Sequence, residues 1–481
     1  MRAPTRARAR TVLGCSLLVA GGLTLPGCAT VRTTMGGYVT GSRGISRSQQ
    51  RLRDALSRGD FKAALAWRQD DALLRQLNLG LTSYYAAQFA RSAAVLDTAA
   101  LLADDRITAS VSKDALALMS NDMARPYQPR RTERLFVPYY AMLAYTRLDQ
   151  WEDAAVEARR LVALLAQYAD DRDDGERALH ASLHQLAGAV FERAGERGDA
   201  IVAYRAARAL APALALPDSA PVPTTGASGE LLVVVERGFV AHRTTETMEI
   251  ELGTDDRDSL RLLGHEHAPI LQKAAESRDG WGLIRKVSSL PTLAMPTYGK
   301  SRRHSSGDDG NDYHLTIAFP ALRRSARPWG GSPRLAVDGD TLGRVGVVAV
   351  VDDASAADEH RERSSIVARA VARAAVKYAV AKAIKDKQGE VAGTLANLGA
   401  SLLERADVRS WHLLPQEITL VRMRLPAGAR VVRLRIGEGS ATRTVELGTI
   451  VVHAGTVSVA PVRLWQAPAP SSKTPTDSLQ P

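Results

Sequence analysis

The pattern of apolar and polar positions changes once along the chain, near residue 212. From about Arg47 to Leu210, apolar residues recur at spacings of three and four, which predicts amphipathic α-helices. After residue 230 the spacing becomes two, and the continuous apolar run from Leu231 to Val235 predicts a buried strand. The sequence therefore predicts an α+β multidomain protein in which the helices precede the strands.

One short residue pattern recurs within the helical half. Its copies are Ala63, Trp67 and Asp70; Ser92, Leu96 and Ala99; Ala154, Ala158 and Leu161; and, most clearly, Ala200, Tyr204 and Ala207. This is the spacing of the second helix of a tetratricopeptide repeat, in which small residues let two helices approach and an aromatic residue fills the groove between pairs. The copies start 29, 62 and 46 residues apart (63 to 92, 92 to 154, 154 to 200), so we expect a degenerate array.

Such an array predicts a binding surface. A single helical hairpin cannot bury its apolar face alone, so the repeats stack, and the stack presents a concave side that typically binds a peptide or a protein. The alternative interpretation is a helical bundle without repeats.

Alternation of apolar and polar residues continues through the second half. Further strands are predicted over residues 247–252, 314–319 and 345–351, and an Ala-rich helix over residues 359–387. From Glu417 onward the alternation is regular, with Val421, Met423 and Leu425 separated by arginines, and four strands follow one another. They predict a small antiparallel β-sheet or sandwich at the C-terminus.

These patterns divide the chain into seven segments. We predict a lipoprotein signal peptide (1–27), a lipidated tether (28–46), a tetratricopeptide-like helical domain (47–211), a Pro-rich linker (212–229), an α+β domain (230–416), a C-terminal β subdomain (417–465) and a disordered tail (466–481).

The N-terminus has the features of an exported, lipid-anchored protein. A basic segment with four arginines precedes an apolar stretch that is too short to span a membrane as a helix. Leu25-Pro26-Gly27-Cys28 then matches the bacterial lipobox, in which the cysteine carries the lipid, although a proline is unusual before the glycine. Val12-Leu13-Gly14-Cys15 also fits, but almost no apolar stretch precedes it. We therefore predict Cys28 as the lipidation site, with an ordinary secretory signal as the alternative, and Thr30 favours the outer membrane.

Charge adds little to this picture. The formal net charge is +11, and removal of residues 1–27, with four arginines and no acidic residue, leaves +7 (11 − 4). Such an excess suits a protein near anionic lipid or an anionic wall polymer. An arginine-rich solvated surface is the simpler interpretation. No known nucleic-acid-binding motif is present, so a nucleic-acid partner is not expected.

Two longer stretches carry a resemblance. Residues 121–160, "NDMARPYQPRRTERLFVPYYAMLAYTRLDQWEDAAVEARR", and residues 406–428, "ADVRSWHLLPQEITLVRMRLPAG", resemble an uncharacterised family of proteobacterial lipoproteins with tetratricopeptide-like helices. The order of lipobox, helices, strand and Ala-rich helix fits that family as well. The resemblance implies a role in envelope assembly. It supplies no catalytic residue.

Motifs for chemistry are weak. Ser110-Val-Ser-Lys113 spells the nucleophile box of penicillin-binding enzymes, but the second and third boxes of those enzymes are missing. His265 and His267 lie two apart, without the spacing that places two histidines on one helix face. The sequence therefore predicts a protein that is not an enzyme and needs no cofactor or metal.

The sequence favours a periplasmic lipoprotein that serves as a protein-interaction scaffold in cell-envelope assembly. Its expected partners are the membrane, through the lipid on Cys28, an envelope protein, through the helical repeats, and peptidoglycan. Tyr140, Glu157 and Arg159 are candidate partner-binding residues, and for Glu157 and Arg159 a structural ion pair between helices is the favoured alternative. The alternatives for function are a peptidoglycan-acting enzyme or its activator, and a structural subunit of a secretion or surface-polymer system.

Overall fold

A computed structural model describes most of the helical half and the strands of the second half. The described residues are 28–32, 38–42, 45–108, 126–212, 227–252, 313–324, 332–342, 344–363, 366, 406–437 and 442–465. The predicted motifs at Ser110, His265 and His267, and most of the predicted linker, Ala-rich helix and tail, lie outside these residues.

The first half is helical, as the apolar spacing predicts. Its helices are α1 (Arg47–Ser57), α2 (Phe61–Ala66), α3 (Ala72–Tyr85), α4 (Phe89–Thr108), α5 (Arg131–Arg147), α6 (Trp151–Gln167), α7 (Asp174–Arg193) and α8 (Arg197–Leu210). Polar residues cap several of their N-termini: Asp71, for example, accepts hydrogen bonds from the backbone N–H groups of Leu73 and Leu74. A further helix, α9, covers residues 351–363.

Four successive helix pairs are joined by the same turn. Each connection has three residues, and the middle one has a positive φ: Gly59 (72°), Ala87 (57°), Asp149 (59°) and Gly195 (84°). In each turn the third residue donates its backbone N–H to the carbonyl five residues earlier, as Glu196 does to Phe191 at 2.8 Å. This is the hydrogen bond of a helix that ends in a left-handed residue. The first half is therefore a series of four helical hairpins with matching turns.

Close packing within the hairpins depends on small residues at equivalent positions. A Cβ atom at Gly80 would lie 2.7 Å from the Leu96 side chain, and one at Gly188 would lie 2.5 Å from Tyr204. Both pairs are sixteen residues apart (96 − 80 and 204 − 188). The first predicted copy of the pattern is displaced, because Ala64 rather than Ala63 is buried and α2 ends before Trp67.

The described strands form three four-stranded sheets, and all of these strands except β1 and β2 lie in the second half. The strands are β1 (Cys28–Arg32), β2 (Tyr38–Ser42), β3 (Ser228–Arg237), β4 (His242–Leu252), β5 (Tyr313–Arg323), β6 (Arg334–Val337), β7 (Asp340–Leu342), β8 (Arg344–Val350), β9 (Glu417–Pro426), β10 (Gly428–Ile436), β11 (Arg443–Val452) and β12 (Val457–Leu464). The central sheet has the strand order β12-β3-β9-β8. The outer sheet has the order β11-β10-β6-β7, and the lateral sheet has the order β1-β2-β4-β5.

The central sheet is covered on both faces. Leu232 and Val234 of β3 belong to the apolar cluster of the helices, whereas Leu231, Val233 and Val235 belong to a second cluster with the outer sheet. This explains why β3 is apolar at successive positions, since a strand covered on both faces cannot alternate. The layers are helices, central sheet and outer sheet, in that order.

The four C-terminal strands do not form a sheet of their own, so that prediction is corrected. β9 and β12 flank β3 in the central sheet, with β12 parallel to β3, while β10 and β11 lie in the outer sheet. The physical reason is the doubly apolar β3, whose backbone requires a partner strand on each side.

The segment expected to be an extended tether contains two strands. Cys28 begins β1, and β1 and β2 pair antiparallel and extend the β4-β5 hairpin. The valine, threonine and tyrosine residues in these two strands favour extended backbone. Any lipid on Cys28 would therefore lie at the edge of the lateral sheet.

Candidate functional site

Tyr140, a predicted partner-binding residue, lies in a buried polar cluster around Glu236 of β3. The hydroxyl groups of Tyr139 and Tyr140 donate to Glu236 Oε1 at 2.9 and 2.8 Å, and that of Tyr85 donates to Oε2 at 2.7 Å. Arg463 of β12 lies 3.9 Å from Oε2. Burial, followed by the negative charge of Glu236, raises the pKa of Tyr140 well above its ordinary value.

This cluster corrects the prediction for Tyr140. Its side chain is fully buried and cannot contact a partner directly. A carboxylate with three hydroxyl donors and a guanidinium group is well compensated for its removal from water. Tyr140 therefore joins α5 to the central sheet.

A second buried carboxylate connects the two stretches that carry the family resemblance. Glu133 of α5 accepts hydrogen bonds from the Tyr127 hydroxyl at 2.6 Å and the Arg130 backbone N–H at 2.8 Å through one oxygen. Its other oxygen accepts from the backbone N–H of Trp411 at 2.7 Å. Trp411 is fully buried beside the Tyr140 ring. Residues in the two stretches thus form a joint between helices and sheet.

Glu157 and Arg159 on α6 do not pair with each other. Glu157 is buried and its Oε1 lies 2.7 Å from Arg160 of the same helix. Burial raises the pKa of Glu157 to about 7. The Arg159 side chain is half-exposed and forms ion pairs with Glu196, at the start of α8, and Asp199 on α8. Arg159 thus forms a contact between helices, while its exposed half stays accessible to a partner.

The side of the helical array that carries the first helix of each hairpin faces the protein's own strands. α1 contributes Arg53, which donates to the Val240 and His412 carbonyls. α3 and α5 contribute the tyrosines around Glu236, and α7 contributes Glu192, which pairs with Arg422 of β9 at 2.8 Å. Where these contacts lie, this side is covered, so a partner of the helices must use a part of the helical surface that stays open.

A groove on the described part of the helical layer is open. It has a volume of about 150 Å³ and lies between the end of α2, one stripe of α3 and the start of α4. Residues at positions 75, 78, 79 and 82 recur at spacings of three and four, so they share one face of α3. The polar and aromatic residues lining this α3 groove are Trp67, Arg68, Arg75, Asn78, Thr82 and Arg91.

The α3 groove is cationic. Arg68, Arg75 and Arg91 are exposed, and within the part of the chain that the structure describes none of them forms an ion pair. Their guanidinium groups contact the backbone carbonyls of Leu65, Trp67 and Asp70 and the side-chain oxygen of Gln88. The residues lining the groove include no aspartate or glutamate.

Asn78 gives the α3 groove a buried hydrogen-bonding group. Its side chain is 4 % exposed and lines the groove. Its Oδ1 atom is buried and accepts no hydrogen bond from the described residues. A buried acceptor without a donor costs about 1–3 kcal/mol. This acceptor is enclosed by the protein, so it is a cost to the fold and not a group that a molecule in the groove reaches.

Sequence reasoning did not identify the α3 groove. The local signal in the sequence is the stripe of Arg75, Asn78, Leu79 and Thr82. A polar stripe beside an apolar face usually marks the side of a helix that faces solvent, so it does not by itself indicate a groove. What distinguishes it is that Asn78 and Thr82 are buried, which periodicity does not show.

Neither a metal site nor a membrane span emerges from the described residues. Among them, no three His, Cys, Asp or Glu side chains are grouped to hold a metal ion. No helix in the described ranges is both long and apolar enough to cross a bilayer.

Comparison with known protein families, curated proteins and solved structures finds no match for this chain.

Proposed function

We propose that this protein is a lipid-anchored scaffold of the bacterial cell envelope, which holds a protein partner at a membrane surface. The observation that carries the proposal is the α3 groove, an open and cationic surface on an array of helices that packs elsewhere against the strands. The proposed mechanism is recruitment: an anchor confines the protein to a surface and raises the local concentration of its partner. The proposed role is binding rather than catalysis.

The proposal assigns the helical half to the tetratricopeptide-like class. Matching turns at Gly59, Ala87, Asp149 and Gly195 support it. The two close contacts sixteen residues apart, Gly80 with Leu96 and Gly188 with Tyr204, support it as well. Stacked hairpins of this kind present surfaces that bind peptides and proteins. In this chain the central sheet takes the place that a peptide would occupy on the covered side.

The location is also part of the proposal. The basic, apolar and lipobox segments before Cys28 support export and lipidation, and Thr30 supports the outer membrane, facing the periplasm. The resemblance of residues 121–160 and 406–428 to the lipoprotein family supports the same location.

Metabolic labelling with palmitate, membrane fractionation and crosslinking in intact cells test this function. The wild-type chain is expected to carry label, to fractionate with membranes and to crosslink to an envelope protein identified by mass spectrometry. Cys28→Ser is expected to lose the label and the crosslink, whereas the matched variant Cys15→Ser keeps both. Label that persists in Cys28→Ser, or a wild-type chain that captures no protein, would contradict the proposal.

A further inference from the structure

We propose that the α3 groove binds an acidic peptide segment of a protein partner, whose carboxylates pair with Arg68, Arg75 and Arg91. This inference rests on the proposed scaffold function and gives its partner a chemical class.

The α3 groove carries positive charge that has no carboxylate partner in the described structure. Several partly buried arginines elsewhere in the described residues have carboxylate partners: Arg106 pairs with Asp71, Arg361 with Glu176 and Arg422 with Glu192. The three arginines of the α3 groove hold three positive charges around one small volume without such a partner. Carboxylates bind guanidinium groups through two parallel hydrogen bonds. An acidic ligand therefore complements the α3 groove.

Size and apolar lining define the segment further. A volume of about 150 Å³ matches engineered cavities that hold benzene, so it admits one side chain or a short backbone stretch. Leu65, Leu79 and the half-buried ring of Trp67 form apolar walls beside the charges. The best match is an extended segment in which acidic residues alternate with an apolar one.

The test uses the purified full chain and a fluorescein-labelled peptide in which three glutamates alternate with leucines. Fluorescence anisotropy at low salt is expected to show saturable binding that weakens as salt is added, because screening reduces charge attraction. The same peptide with glutamine in place of glutamate is expected not to bind. Inorganic polyphosphate serves as the competing simple anion.

Two sets of variants separate the contributions. Replacing Arg68, Arg75 and Arg91 by glutamine is expected to weaken peptide binding at least tenfold. The control replaces three exposed arginines outside the α3 groove, Arg51, Arg197 and Arg205, and is expected to leave binding within about twofold. Thermal unfolding verifies that each variant is folded.

Several outcomes would overturn the inference. Equal loss in the groove and control variants would show attraction by net charge alone. Polyphosphate that binds as tightly as the peptide would show a general anion site. Failure of the peptide to bind leaves the anchoring and crosslinking results standing, so this inference can fail while the scaffold function survives.

Discussion

Two arginine-rich regions of this molecule differ in what their charges do. Where the helices meet the central sheet, the side chains of Arg463 and Arg422 are largely buried. Arg463 pairs with Glu236, and Arg422 pairs with Glu192 and Glu230. At the α3 groove, the arginines are exposed and lack carboxylate partners in the described structure. A buried charge is costly unless it is paired or hydrogen-bonded, whereas an exposed charge is stabilised by solvent. The first region thus serves the fold, and the second can serve a ligand.

The largest expected effect concerns Glu236. Glu236→Ala is expected to lower the free energy of unfolding by about 3–5 kcal/mol, because it leaves Arg463 buried without its carboxylate and three tyrosine hydroxyls without their acceptor. Urea denaturation measures this loss.

An exposed ion pair provides the control for Glu236. Glu446, which pairs with Arg433 on the outer sheet, is exposed, so Glu446→Ala is expected to cost about 1 kcal/mol or less. Similar losses in the two variants would mean that burial does not distinguish the joint from the surface.

A pH-dependent effect on the free energy of unfolding is expected at Glu157, and its size lies between those expected at Glu236 and Glu446. Burial raises the pKa of its carboxyl to about 7, so the folded protein binds more protons than the unfolded chain between about pH 4.5 and 7. Its contribution to stability therefore falls as the pH rises through that window. Glu157→Gln removes this dependence, and its stability relative to wild type is expected to rise between pH 4.5 and 8 by about 1–3 kcal/mol.

Urea denaturation across that pH range measures the change. Glu152→Gln, an exposed position on the same helix, controls for the loss of one negative charge. A stability difference for Glu157→Gln that stays constant with pH would show that the carboxylate remains charged throughout and that Arg160 compensates for its burial.

These effects also show where sequence reasoning reached its limit. The period of apolar residues predicts α3 to α8 and the alternation of β9 to β12, because both depend on neighbours in the chain. Periodicity does not reveal that β12 pairs with β3, since Val457 and Glu230 are far apart in sequence. The burial of Tyr140 was missed for the same reason: its acceptor Glu236 is 96 residues away.

The candidate site was harder to predict than the fold. Nothing in the local pattern distinguishes Arg75, which has no ion pair in the described structure, from Arg106, which pairs with Asp71. The difference arises from which carboxylate the tertiary structure brings near each guanidinium group. A binding surface that is defined by arginines without carboxylate partners is therefore recognised from the tertiary structure and not from the local sequence.

The smallest expected effect on stability is at the α3 groove. Joint replacement of Arg68, Arg75 and Arg91 by glutamine is expected to change the free energy of unfolding by less than about 1 kcal/mol, with a slight gain at low salt from relief of like-charge repulsion. Arg422→Gln, which leaves Glu192 and Glu230 without their buried guanidinium group, is the matched contrast and is expected to cost several times more. Urea denaturation at low and high salt measures both.

A loss above about 2 kcal/mol in the groove variant would make its arginines structural and erase the distinction between the two regions. A near-neutral result, together with weakened peptide binding, means that these charges are retained for a ligand, because the fold does not need them.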